Sequence, residues 1–93
     1  MKINIYGSTG IIGRKTLELI NNNFPNLKVN LLCAKSNVRL LKKQIEIFKP
    51  KYAFLNDANK IPNFNYRINN TKVLNFNELL SYLSSSKSNL SIL

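Results

Sequence analysis

Gly7-Ser8-Thr9-Gly10-Ile11-Ile12-Gly13 is the stretch that decides the fold. Its glycines recur at steps of three, directly after Lys2-Ile3-Asn4-Ile5-Tyr6, whose polar and apolar residues alternate with period two. After the turn Ile12, Thr16, Leu17 and Ile20 follow at helical spacing, and Asn21-Asn22-Asn23 with Pro25 supplies a stop. A strand therefore enters a tight turn and leaves it as a helix. In such a turn one glycine permits the sharp reversal, one clears space where a diphosphate approaches the backbone, and one lets helix and strand pack closely. Free N–H groups and the positive end of the helix then face the anion. Ser8 and Thr9 are expected to add hydroxyl donors. The plainer reading, glycines that only shape a turn, is weakened by the strand before and the helix after. No Gly-Lys-Ser/Thr closes the motif, which argues against a triphosphate P-loop.

Further along, Lys28-Val29-Asn30-Leu31-Leu32-Cys33-Ala34 reads as a second strand. Asn37 is placed to cap a second helix, whose apolar stripe is Val38, Leu41, Ile45 and Phe48, closed by Pro50. Tyr52-Ala53-Phe54-Leu55 has the length of a buried third strand. From Asn56 to Asn70 the Asn-rich sequence with Pro62 reads as a loop. Thr71-Lys72-Val73-Leu74 predicts a short strand, and Asn75 with Glu78 has capping-box spacing for a helix through Leu79, Leu80, Tyr82 and Leu83, broken by Ser84-Ser85-Ser86. Asn89-Leu90-Ser91-Ile92-Leu93 reads as the beginning of another strand. This alternation predicts an α/β fold, a Rossmann-like parallel sheet with flanking helices, incomplete at the C-terminus, in one domain over residues 1–93.

NAD-preferring folds carry an acid at the end of the second strand, roughly 20 residues past the glycine turn, for the ribose hydroxyls. Here that position reads Cys33-Ala34-Lys35-Ser36-Asn37, a cation, a hydroxyl and an amide. That set suits a 2′-phosphate and favours NADP(H).

The remaining composition narrows the alternatives. A chain of 93 residues with 44% hydrophobic content and no apolar run near the roughly 20 residues of a membrane span predicts a soluble domain. No signal-peptide core precedes the motif, and Cys33 is the single cysteine, so a cytoplasmic setting is expected. The net charge of +10 raises the question of nucleic acid, but Lys2, Lys28, Lys51, Lys60, Arg67, Lys72 and Lys87 lie scattered along the sequence. A solvated surface is the expected reading, with no specific nucleic-acid partner. Cys33 has no His beside it and reads as a small core residue, while Tyr52 and Tyr82 read as packing groups with a polar tip. Glu18, Glu46, Asp57 and Glu78 are too dispersed for a metal cluster, and no catalytic residue is visible.

The ordered set Gly7 to Gly13, Thr16-Leu17, Ala34-Lys35-Ser36-Asn37-Val38 and Phe48-Lys49-Pro50-Lys51-Tyr52-Ala53 resembles the N-terminal NADPH-binding domain of 1-deoxy-D-xylulose 5-phosphate reductoisomerases. The resemblance implies that Thr9, Gly10, Ile11 and Ile12 surround the dinucleotide diphosphate, and that Lys35, Ser36 and Asn37 face the adenosine ribose phosphate. Two positions depart from the family pattern: Lys35 stands where Gly is usual, and Ile11 where Ser is frequent. By the same resemblance the whole enzyme isomerises 1-deoxy-D-xylulose 5-phosphate and reduces it with NADPH to 2-C-methyl-D-erythritol 4-phosphate, with Mg2+ or Mn2+, as a homodimer. The metal ligands lie downstream of this sequence in the family. The chain alone is thus expected to bind cofactor without turnover, unless a complementing C-terminal chain joins it. The alternatives are a free-standing NADP(H)-binding module and, less favoured, a basic nucleic-acid-binding domain.

Overall fold

The computed structural model describes residues 2–57, 67–85 and the backbone of 90–92. The elements run β1 (Lys2–Tyr6), α1 (Ile11–Asn23), β2 (Lys28–Ala34), α2 (Val38–Phe48), β3 (Tyr52–Leu55), β4 (Arg67–Ile68), β5 (Thr71–Val73), α3 (Phe76–Ser85) and β6 (Leu90–Ile92). They build one sheet in the order β4-β5-β3-β2-β1-β6, parallel except for β4 against β5. The chain steps outward from β1 through β2, β3 and β5, and α3 then returns it to the other side of β1 as β6. Such a reversal opens a crevice at the carboxyl ends of the strands, beside β1, where open α/β sheets take their ligands.

Two cores form, one on each face. Leu17 and Ile20 of α1 and Leu41 and Ile45 of α2 pack with Ile3, Ile5, Val29, Leu32, Ala53 and Leu55. On the opposite face Leu79 of α3 packs with Leu31, Cys33, Phe54 and Leu74, joined by the half-buried Tyr52 and Tyr82. Because β1 is covered on both sides, its period-two sequence does not produce the one-sided burial that alternation suggests: Ile3, Asn4 and Ile5 are all buried. Asn4 is tolerated there because Tyr82 donates its hydroxyl to Asn4 Oδ1 at 2.7 Å, while Asn30 Nδ2 donates to the same Tyr82 oxygen at 2.6 Å. The β1–β2 register shifts between Ile3 and Asn4, opposite Asn30, and this irregularity lets Asn30 and Leu31 both serve the α3 face.

The helix boundaries follow local chemistry. Asn37 Oδ1 accepts the Leu40 N–H at 3.1 Å, so Asn37 caps α2 as its sequence position predicts. Lys49 ends that helix in the left-handed region at φ 47° and returns its N–H to Ile45 O. Before α3 the capping box is complete, with Glu78 N–H to Asn75 Oδ1 at 2.8 Å and Asn75 N–H to Glu78 Oε1 at 2.9 Å. A hydrogen bond from Lys72, reinforced by the Asn75 N–H, holds the Glu78 carboxyl below the usual range. The helix extends through Ser85; Ser86 lies outside the described residues.

The loop expected over residues 56–70 is corrected at its end. Arg67–Ile68 forms β4 and turns back through Asn69, at φ 54°, into β5. A two-residue turn with an Asn in the left-handed region is a hairpin signal, hidden here by the brevity of the strands it joins. Residues 58–66 lie outside the described residues. No helix among the described residues is long and apolar enough to cross a membrane.

Cys33 lies in the α3-side core, and burial pushes its thiol up to about 12. The thiolate is the reactive form, so the folded chain should resist thiol reagents at pH 8 and react promptly in denaturant. Fast labelling of the native chain would contradict this burial. The raised value also fixes a sign. Its contribution to stability is complete below the ordinary value of 9.0 and is lost as pH rises through about 12.

Candidate functional site

The glycine turn sits at the carboxyl end of β1. Gly7 takes φ 67°, a conformation that side chains disfavour, and Gly10 N–H closes the turn on Gly7 O at 3.0 Å. Gly13 lies where α1 crosses the turn: a Cβ there would stand 2.1 Å from Gly7 O and 2.7 Å from Ser8 Cα. Gly10 is different. A Cβ built on it meets only Gly7 O, at 3.4 Å, and its extended backbone is open to any residue. The fold needs Gly7 and Gly13; it does not need Gly10.

Gly10 is the N-cap of α1 and has no side chain to cap with. The first intrahelical bond is Arg14 N–H to Gly10 O at 2.9 Å, which leaves the N–H groups of Ile11, Ile12 and Gly13 without a helical acceptor. No acid stands in that first turn to offset the positive end of the helix. Ile11 and Ile12 are 68% and 70% exposed, unusual for side chains of that kind at a helix start. Thr9 is half-buried beside them. The N–H groups of Ile11, Ile12 and Gly13 at the uncompensated positive end of α1 are donors to which an anion could bind.

The second cluster stands next to it. Ser8 N–H donates to Cys33 O at 2.9 Å, which ties the glycine turn to the end of β2. Lys35, Ser36 and Asn37 follow within a few residues and are all exposed. Their backbone is held by Asp57 N–H on Lys35 O at 2.8 Å and Val38 N–H on Ser36 O at 3.0 Å. The side chains of Lys35 and Ser36 are thus presented from a fixed segment. Asn37 spends its Oδ1 on the α2 cap, so only its amide nitrogen is open to a ligand.

The expectation that Ser8 adds a hydroxyl donor to the cradle is corrected. Ser8 is fully buried, so its hydroxyl does not line the cradle; its Oγ has no hydrogen-bond partner. Gln44, which the sequence analysis does not single out, is buried and donates Nε2 to Ser8 O at 2.7 Å. Its place three residues after Leu41 and one before Ile45, on the apolar stripe, is the signal that marks it. The lysines are also less scattered than their numbering suggests. Lys2 and Lys28 are register partners and Lys51 precedes β3, so with Lys49 they line a cleft of about 650 Å3 shared with Phe24 and Ile47. That cleft opens at the amino ends of the strands, away from the glycine turn. The unpaired N–H groups at the start of α1, and not cleft volume, mark the turn as the candidate site.

Residues 3–91 match the family model described as 1-deoxy-D-xylulose 5-phosphate reductoisomerase. The chain belongs to this family. A reductoisomerase of Thermodesulfovibrio yellowstonii is 36% identical over 92% of this chain and 23% of its own length. That of Lachnoclostridium phytofermentans is 42% identical over 76% of this chain and 18% of its own length. The chain therefore spans about a fifth of the curated reductoisomerases it matches. Among solved structures, the reductoisomerase of Zymomonas mobilis in complex with NADPH superposes with a TM-score of 0.71, at 26% identity, over 77% of this chain and 20% of that one. A second reductoisomerase, with NADPH, fosmidomycin and magnesium, gives a TM-score of 0.79 over 95% of this chain and 22% of that one; at 22% identity it speaks for the fold.

Proposed function

We propose that these residues are the NADPH-binding portion of a reductoisomerase, with Thr9, Gly10, Ile11 and Ile12 on the diphosphate and Lys35, Ser36 and Asn37 on the 2′-phosphate. The observation that carries this reading is the row of unpaired N–H groups behind Gly10, set beside a strand end that presents a cation and a hydroxyl in place of an acid. The donors fit the group chemically: backbone N–H and a helix N-terminus for the diphosphate, Lys35 and Ser36 for the extra phosphate. When bound, NADPH supplies the hydride. The chain's own residues bind it, orient it and set its phosphate end against β2.

For the whole enzyme the family reading is NADPH-dependent isomerisation and reduction of 1-deoxy-D-xylulose 5-phosphate with Mg2+ or Mn2+. Among the described residues no three of His, Cys, Asp and Glu come together to hold a metal. The described residues therefore offer a divalent cation no ligand set. These 93 residues by themselves are read as cofactor-binding without turnover, in a cytoplasmic setting, completed by a C-terminal portion and homodimeric at full length. The related alternative, a free-standing NADP(H)-binding module, gains no specific observation.

Cofactor preference tests the assignment. Calorimetry should show NADPH binding more tightly than NADH, and Lys35→Glu with Ser36→Ala should cut that preference by about tenfold, or about 1.4 kcal/mol. Equal affinities in the parent chain would remove the 2′-phosphate assignment. With 1-deoxy-D-xylulose 5-phosphate and Mg2+ added, NADPH absorbance should stay constant; substrate-dependent oxidation would require a catalytic site within these residues.

A further inference from the structure

Both backbone polar groups of Ser8 are committed to the neighbouring βα unit. Its N–H goes to Cys33 O at the end of β2, and its carbonyl accepts Gln44 Nε2 from α2 at 2.7 Å. Gln44 is 5% exposed and is the polar member of the buried set on α2, between Leu41 and Ile45. The opposite orientation of its amide would bring two oxygens together, so donation to Ser8 O is the arrangement that chemistry allows.

The peptide unit joining Ser8 and Thr9 is planar and trans, so its C=O and N–H point in opposite directions. Gln44 holds the carbonyl toward the core. The Thr9 N–H then points the opposite way, away from Gln44 and α2. Released from Gln44, the same peptide could turn its carbonyl outward, where an oxygen would repel a diphosphate and the Thr9 donor would be lost. A sharp turn after Gly7, at φ 67°, leaves the peptide without a regular ladder to fix it otherwise.

We propose that Gln44 is a positioning residue for cofactor binding, which aims the Thr9 N–H at the diphosphate by holding the Ser8 carbonyl in the core. This rests on the NADPH assignment above and adds to it a residue that never touches the ligand. It also accounts for a polar side chain on the apolar stripe of α2, where a Leu would pack without an amide to satisfy.

The experiment compares the parent chain with Gln44→Met, which keeps length and shape while removing the donor. Ile45→Val serves as the control, since it loosens the same packing without touching Ser8. Nitrogen-15 spectra follow the Thr9 amide while NADPH is titrated. The parent chain and Ile45→Val should bind alike, with the Thr9 amide proton moving downfield on saturation. Gln44→Met should bind about tenfold more weakly, with the Thr9 shift reduced or absent, while its dispersed spectrum reports an intact fold. Gln44→Glu, an isostere that sets an oxygen against the Ser8 carbonyl, should weaken binding at least as much and covers the case in which Gln44→Met does not fold. Equal affinity and an equal Thr9 shift in parent and Gln44→Met would overturn the role of Gln44 while leaving the NADPH assignment intact. Weakening of Ile45→Val to the same degree would overturn it too, since loosened packing would then suffice. A parent chain that does not bind NADPH overturns both.

Discussion

Gly13→Ala should unfold the chain. The added methyl carbon would sit 2.1 Å from Gly7 O, 2.7 Å from Ser8 Cα and 2.9 Å from Gly7 C, and all three are backbone atoms of a closed turn. No rotamer relieves a Cβ, so α1 must move away from β1. That movement would strip Leu17 and Ile20 from the core they share with Ile3 and Ile5. Overpacking in a responsive core costs about 1–3 kcal/mol, and a backbone clash this short belongs above that range. A domain of this size has roughly 5–10 kcal/mol in total, so most of the margin disappears. Circular dichroism during heating should show a broad, early transition or none. A cooperative transition within about 3 °C of the parent would mean that helix and turn are not packed as described.

Gly10→Val should do the reverse, leaving the fold and removing the ligand. The Gly10 backbone, φ −78° and ψ 175°, is comfortable for a β-branched residue, and its Cβ would meet only Gly7 O at 3.4 Å. Losing a favourable N-cap costs about 1 kcal/mol. The isopropyl group, however, adds bulk at the N-cap of α1, beside the N–H groups proposed to take the diphosphate. Affinity for NADPH should fall by about a hundredfold or more, equivalent to about 2.7 kcal/mol. Unchanged affinity in a folded Gly10→Val chain would reduce the glycine turn to a structural device. The contrast between the two glycines matters more than either alone, because one motif then separates a packing requirement from a binding requirement.

Most of the architecture is legible in the sequence because local signals agree with one another. Gly7 to Gly13, the Asn37 cap and the Asn75–Glu78 capping box each name a boundary that the structure keeps. What escapes notice depends on partners distant in sequence. Asn4 looks like the polar half of an alternating strand until Tyr82, 78 residues away, supplies its hydrogen bond. Lys2 and Lys28 look dispersed until parallel pairing aligns them. Ser8 reads as a ligand donor from its place in the glycine turn, yet its side chain is fully buried. Gln44 is hidden for a related reason: its function lies in a carbonyl 36 residues earlier. The β4 hairpin is short enough that Arg67–Ile68 shows no period at all.

The most direct test of the central claim is a calorimetric titration of NADPH into the purified 93-residue chain at moderate salt, with NADH titrated in parallel. The expected result is saturable binding of one NADPH per chain, with NADH weaker. A folded chain that takes up neither nucleotide at millimolar concentration would contradict the assignment of Thr9, Gly10, Ile11, Ile12, Lys35, Ser36 and Asn37 to a cofactor site.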